Sequence, residues 1–189
     1  MIRTFVAVTI SPALKGKIGE LLTELALPQY DVKWVRPENL HLTLKFLGNV
    51  EEERVDTIAE VIEEVARSSR PFRLHLGGLG AFPNRRRPRV IWAGMTEGGR
   101  RLDQIAARLE TGLGPLGFAQ EKRRFSAHLT LGRTRSAKGL NELVRRIDQY
   151  SDFELGEMQV EDISLFASDL RPAGPIYTGL YKATLGRGA

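Results

Sequence analysis

The tetrapeptide His-Leu-Thr-Leu occurs twice, at 41–44 and at 128–131, and the two copies hold two of the chain's three histidines. Each copy alternates polar and apolar residues, the period of a strand buried on one face. At that period His41 and Thr43 share one face while Leu42 and Leu44 share the other, and His128 and Thr130 stand apart from Leu129 and Leu131 in the same way. The leucines anchor each strand in a core. An imidazole and a hydroxyl remain on the outer face. Two such strands lying side by side bring two imidazoles and two hydroxyls together, so a fold that uses the repeat must pair residues far apart in the chain.

The flanking patterns place both copies in a mixed architecture. Residues 2–10 read as a strand rich in Phe5, Val6, Val8 and Ile10. Ser11 caps a helix with Pro12 at its first position, and Leu14, Ile18, Leu21, Leu22 and Leu25 recur at helical spacing. A short extended piece at 32–35, with Trp34, and a turn at Pro37-Glu38-Asn39 lead to the first motif strand, 40 to about 47, which Gly48-Asn49 closes. A second helix starts at Glu51-Glu52-Glu53, acids that suit a helix N-terminus, and carries the stripe Val55, Ile58, Val61, Ile62 and Val65. Residues 72–76 and 90–95 read as strands, with an irregular stretch at 77–83 and a basic loop at 84–89 between them. A third helix carries Leu102, Ile105, Ala106 and Leu109; the second motif strand spans 125–133; a fourth helix covers 140–149. Strands follow at 153–155 and 159–167, then a loop at 170–175 and a last strand at 177–185.

Several strands follow one another with no helix between, an order that favours α+β over a doubly wound sheet. Each half has two helices and one motif strand, which reads as an internal duplication, approximately 1–95 and 96–189, within a single domain spanning 1–189. The expected fold is two pseudo-symmetric lobes, each an antiparallel sheet with helices outside, around a central cleft.

Composition narrows the chemistry. The chain has no cysteine, which removes disulfides, thiolate nucleophiles and cysteine zinc sites and fits a reducing compartment. The histidines lack a His-x-x-x-His or equivalent spacing, so no metal site is expected, and no cofactor. Nothing at the N-terminus has the pattern of a signal peptide and no apolar run approaches a membrane span, so a cytoplasmic monomer is expected. The net charge is +5, and arginine dominates the cations, 21 against 7 lysines. That balance suits a polyanionic partner, nucleic acid first, although a mild excess of base is common in soluble enzymes and arginine also tracks genomic base composition.

Four further features have two readings each. Lys45 shares strand parity with His41 and Thr43, which puts it in the cleft or at a solvated strand end. His75, in parity with Arg73, reads as a surface or packing residue. Arg85-Arg86-Arg87 with Arg89 is most often a solvated loop, and given a polyanionic substrate a nucleic-acid contact is an equal reading. Gly77-Gly78-Leu79-Gly80 lacks the lysine and hydroxyl of a phosphate loop.

A neutral imidazole accepts or donates a proton near physiological pH. Two of them on opposite sides of one phosphorus supply the base and the acid of an in-line displacement, while threonine hydroxyls donate to the non-bridging oxygens. A single His-Leu-Thr-Leu is best read as a strand-forming tetrapeptide; two copies in corresponding halves favour the site.

These residues resemble the paired His-x-Thr-x motifs of the 2H phosphoesterases, and most nearly the bacterial and archaeal RNA 2′,3′-cyclic phosphodiesterases, also called 2′-5′ RNA ligases. Residues 40–48, Leu-His-Leu-Thr-Leu-Lys-Phe-Leu-Gly, are similar to the first motif of that branch, and 125–133, Phe-Ser-Ala-His-Leu-Thr-Leu-Gly-Arg, to the second. The opening strand, Trp34 and the length agree. Ala127 departs from the proline expected there, and touches no reacting group. The resemblance implies an enzyme that opens the 2′,3′-cyclic phosphate end of an RNA to a 2′-phosphate. It assigns His41 as proton donor to the departing 3′ oxygen and His128 as the base that activates water. Thr43, Thr130 and Arg133 would bind the phosphate, with Lys45 a further candidate. The family's second name implies 2′-5′ joining by the same chemistry. Two alternatives stay open: a phosphodiesterase for a small cyclic nucleotide, and an RNA-binding module whose motifs only grip phosphate.

Overall fold

The computed structural model describes residues 1–172 and 174–186. The chain runs β1 (Ile2–Thr9), α1 (Pro12–Leu25), β2 (Val32–Trp34), β3 (His41–Val50), α2 (Val55–Arg67), β4 (Phe72–Phe82), β5 (Val90–Glu97) and α3 (Gly99–Leu113). It continues with β6 (Leu129–Thr134), α4 (Leu140–Gln149), β7 (Glu154–Val160), β8 (Asp162–Arg171) and β9 (Gly174–Thr184).

Local chemistry explains the helices. Ser11 accepts from the Leu14 N–H at 3.4 Å, satisfying one of the free donors at the start of α1. The face of α1 made by Leu14, Ile18, Leu21, Leu22 and Leu25 is buried, as are Ile58, Ile62 and Val65 of α2 and Leu102, Ile105 and Leu109 of α3. Glu52 and Glu53 lie in a short 3-10 turn that the extended Glu51 precedes, so α2 itself starts at Val55.

All strand pairs are antiparallel and form two sheets, one ordered β3-β1-β8-β9 and the other β2-β6-β5-β4-β7. Helices α2 and α3 pack on the first sheet, α1 and α4 on the second. This is the expected α+β arrangement of two sheets with helices outside. The lobes are not the two halves of the sequence, however. The first sheet takes β1 and β3 from one half and β8 and β9 from the other, so each lobe is built across the boundary near residue 95.

Three segments differ from the sequence expectation. Residues 77–82 continue β4 instead of looping out. Glycine makes this feasible: the register slips at Gly78, which has φ +66°, and the Trp92 ring lies so close to Gly80 that a Cβ there would sit 2.3 Å from it. The β8–β9 hairpin extends through Leu170, Arg171, Gly174 and Pro175, with Ala173 outside the described residues. Residues 125–128 run toward β6 without ladder partners, so β6 begins one residue after His128. Among the described residues no helix is long and apolar enough to cross a membrane.

Candidate active site

The two motif strands belong to different sheets and meet between them. β3 lies at the edge of the first sheet, β6 lies between β2 and β5 in the second, and the two strands are in contact. The motif leucines are buried, whereas His41, Thr43, His128 and Thr130 retain exposed surface. The alternation therefore holds through each tetrapeptide.

Each imidazole is held in the same way. His41 Nδ1 lies 2.8 Å from the Asn39 carbonyl oxygen, and His128 Nδ1 lies 2.7 Å from the Ser126 carbonyl oxygen, two residues upstream in both cases. A carbonyl oxygen only accepts, so in both rings Nδ1 carries the hydrogen and donates. Nε2 is left as the nitrogen free to take or give a proton. Aromatic rings fix the planes. His41 rests on Phe5 at 4.7 Å and meets Tyr177 edge-on at 5.0 Å; His128 meets Phe82 edge-on at 5.0 Å. Phe5 also stacks on Phe166 and contacts Phe46, so the floor beside His41 is a continuous aromatic surface.

Both strands break register at the motif's last leucine. Val6 pairs with Lys45 and Ala7 with Thr43, which leaves Leu44 as the extra residue of a bulge. Ile91 pairs with Gly132 and Trp92 with Thr130, which leaves Leu131 in the same role. A bulge reverses the faces beyond it. Phe46 and Arg133, equivalent positions in the two motifs, therefore lie on the faces of His41 and His128.

That reversal corrects the expectation for Lys45. The residue is buried, only 2% exposed, and its side chain does not reach the cleft. Its Nζ donates to Glu110 Oε1 on α3 at 2.7 Å and to the Ala119 carbonyl oxygen at 2.9 Å. Strict alternation assigns it to the wrong face because the bulge intervenes.

Arg133 is exposed on β6 and its charge reaches Tyr177 on the opposite sheet. Burial raises the Tyr177 phenol above its ordinary value, and the guanidinium groups of Arg133 and Arg3 pull it back down. Burial pushes the His41 imidazole below its ordinary value; the bond to the Asn39 carbonyl opposes that shift and the Lys15 ammonium adds to it. His75 is not part of this set. It lies toward the end of β4 remote from Phe82, opposite Glu97 and Glu157 on the neighbouring strands. Among the described residues, no group of three or more His, Cys, Asp or Glu is placed to hold a metal ion.

The basic loop 84–89 joins β4 to β5, close to Phe82 and thus to His128. Arg85 is engaged with Asp148 of α4, and the backbone N–H groups of Arg86 and Arg87 donate to Asn84 Oδ1. The Arg86, Arg87 and Arg89 side chains form none of the salt bridges found among the described residues. Sequence reasoning missed Phe5, Phe46, Phe82 and Tyr177. Strand parity would flag Phe5 as one face of β1, but only the packing of β9 on the 37–39 turn, with Asn39 donating to the Pro175 carbonyl at 3.0 Å, links Tyr177 to His41.

A family model described as LigT-like phosphoesterase matches residues 8–92 and again 94–177. A protein of Archaeoglobus fulgidus named RNA 2′,3′-cyclic phosphodiesterase is 43% identical over 179 residues, which is 94% of this chain and 97% of that protein. One of the same name from Methanothermobacter thermautotrophicus is 36% identical over 179 residues, 95% of this chain and 96% of its own. The crystal structure of a Thermus thermophilus protein superposes with a TM-score of 0.83 at 32% identity, covering 99% of this chain and 100% of that one. Escherichia coli LigT complexed with 3′-AMP superposes with a TM-score of 0.80 at 27% identity, over 97% and 98% of the two chains. Similar in sequence to these relatives over nearly their whole length, and sharing the two-sheet architecture, this chain belongs to the LigT-like phosphoesterases of the 2H superfamily.

Proposed function

We propose that this chain hydrolyses the 2′,3′-cyclic phosphate end of RNA to a 2′-phosphate, without a divalent metal. The observation that carries this reading is the matched pair of imidazoles, each with Nδ1 committed to a backbone carbonyl and Nε2 free. The names of the relatives supply the substrate class.

In this reading water attacks phosphorus opposite the 3′ oxygen. His128 Nε2 takes the water proton as the new P–O bond forms. The P–O3′ bond breaks, and His41 Nε2–H gives its proton to the 3′ oxygen. The phosphate stays on the 2′ oxygen. Thr43 and Thr130 donate hydroxyl hydrogens to the non-bridging oxygens, and Arg133 balances their charge with the geometry guanidinium offers to phosphate. Lys45 has no part in the step. The same displacement with a 5′-hydroxyl in place of water makes a 2′-5′ linkage. A donor set of imidazole, hydroxyl and guanidinium groups, with no carboxylate cluster among the described residues, supports the metal-free route.

The two bulges at equivalent residues support an internal duplication, approximately 1–95 and 96–189, within one domain. A cysteine-free, basic chain supports a cytoplasmic place, and we take the protein as a monomer.

The test is to incubate the protein with an oligonucleotide ending in a 2′,3′-cyclic phosphate in EDTA, then digest the product with a phosphatase selective for 3′-phosphate ends. Turnover should persist and the phosphate should stay on the RNA. Loss of turnover restored by one added metal would overturn the metal-free route, and release of the phosphate would overturn the assignment of His41 as donor.

A further inference from the structure

We propose that a second recess, where the far end of β3 meets the segment entering the second motif, binds the nucleotide on the 5′ side of the cyclic phosphate. This rests on the reading above. A 2′,3′-cyclic phosphate is a 3′ end, so the RNA leaves the cleft from its 5′ side alone and needs one exit.

The recess has a volume of about 430 Å³ and is lined by Phe46–Gly48 and residues 118–123. Both walls are continuous with the site. The Phe5 ring touches His41 at 4.7 Å and Phe46 at 6.2 Å, and the 118–123 segment runs directly on to His128. Phe46 is 54% exposed, the one large aromatic on the His41 face of β3 beyond the bulge. An exposed ring beside a phosphate site is a stacking platform for a base, and stacking tolerates any base. Among the described residues β3 pairs with β1 alone, so its outer edge has N–H and C=O groups free for the edge of that base.

The second wall is held in place before any ligand arrives. Lys45 donates to the Ala119 carbonyl, and Glu110 Oε2 accepts from the Glu121 N–H at 3.4 Å. Arg54 donates to the Leu116 carbonyl and stands 4.8 Å over the Phe118 ring. A wall fixed in this way loses little freedom when a nucleotide binds.

Charge selects this recess over a larger one. The hollow of about 610 Å³ between residues 8–12, 158–162 and 179–182 sets Glu161 and Asp162 against Lys182, and Lys182 is already bound to Asp162 at 2.8 Å. The smaller recess sets Lys122 and Arg123 against Glu121. A phosphodiester is attracted to the second and repelled by the first.

The experiment compares kcat/KM on a nucleoside 2′,3′-cyclic phosphate with that on a dinucleotide ending in the same group. The wild type should prefer the dinucleotide by at least about tenfold, in line with one stacked base and one phosphate contact. Phe46→Ala and Arg123→Glu should each bring that preference toward unity, and Lys182→Ala in the larger hollow should leave it intact. A wild-type preference near unity, its survival in both recess variants, or its loss in Lys182→Ala would overturn the proposal. If neither substrate turns over, the hydrolytic reading fails. The recess is then judged by the same ratio in binding of the dinucleotide and mononucleotide 2′-phosphates.

Discussion

Removing Glu110 should harm this protein more than removing Lys45, although the two form one ion pair. The Lys45 and Glu110 side chains meet at 2.7 Å with exposures of 1% and 21%. Glu110→Leu leaves a buried ammonium whose remaining acceptor is the Ala119 carbonyl, and water cannot replace the carboxylate. Breaking a buried pair from that side costs about 3–5 kcal/mol, and the near-complete burial of Lys45 places it at the upper end. Lys45→Met fills the space with a chain of similar length. It leaves a carboxylate that keeps the Glu121 N–H and is open enough to take up water, a loss of about 1–3 kcal/mol. The double variant buries no charge and should lie within about 1 kcal/mol of the wild type, as buried pairs replaced by apolar residues commonly do. The two losses therefore do not add, and the coupling between them should be at least about 4 kcal/mol, above the ~0.5–3 kcal/mol usual for neighbouring residues. Urea unfolding at pH 7, followed by the fluorescence of Trp34 and Trp92, gives all four corners of the cycle. Equal losses in the two single variants, or a double variant at their sum, would refute the reasoning. Kinetics give an independent check, since folded Lys45→Met should hydrolyse a mononucleoside cyclic phosphate within about threefold of the wild type. A hundredfold loss would return Lys45 to the cleft.

His41→Ala and His128→Ala should each lower kcat by at least about 10²-fold with the fold retained, and Thr43→Ala or Thr130→Ala should cost less, about 1.5–3 kcal/mol; near-normal turnover in either folded histidine variant would exclude the paired mechanism. The dependence of kcat/KM on pH should be bell-shaped, because the productive enzyme holds one proton across the histidine pair. Burial lowers the pKa of His41 in the free protein, so as pH rises its proton is lost earlier than from an ordinary histidine. A bound phosphate favours the protonated ring, so the alkaline limb should lie at higher pH in kcat than in kcat/KM; coincident limbs would remove His41 from the role of acid. The salt dependence of oligonucleotide binding should flatten by about 0.7 in slope for each arginine–phosphate interaction that Arg86→Ala, Arg87→Ala or Arg89→Ala removes. Arg85→Ala should leave it unchanged because Asp148 already holds that side chain; an equal change in Arg85→Ala would show that Asp148 does not hold Arg85 back from RNA.

The helices and most strands were legible because each declares itself within a few residues. The leucine spacing of α1, the cap at Ser11 and the two alternating tetrapeptides are local signals. Three things were hidden for one shared reason, that they depend on a partner segment. Gly77–Gly80 has the composition of a loop, and becomes strand because the Trp92 ring needs a surface without side chains. Lys45 has cleft parity on paper, and a bulge set by the pairing of β3 with β1 turns it inward. Tyr177 has no local mark at all, and reaches His41 because the start of β9 packs on the turn before β3, where the Asn39 side-chain amide donates to the Pro175 carbonyl at 3.0 Å. The motif chemistry was readable from residue types, but the face on which each later residue falls is a property of the sheet.

The interleaving of the two lobes limits how the cleft can move. The chain passes from one layer to the other between β1 and α1, β2 and β3, α2 and β4, β5 and α3, α3 and β6, and β7 and β8. Clamshell proteins open about a hinge of a few residues, so one or two bends separate their halves. Here a rigid opening would have to bend every one of these passages together. The spacing between the two imidazoles is therefore stitched into the covalent chain and does not depend on a closing motion. Substrate entry and product release fall to the rim, where the loop at 84–89 can shift while the 118–123 wall and both histidines stay in place.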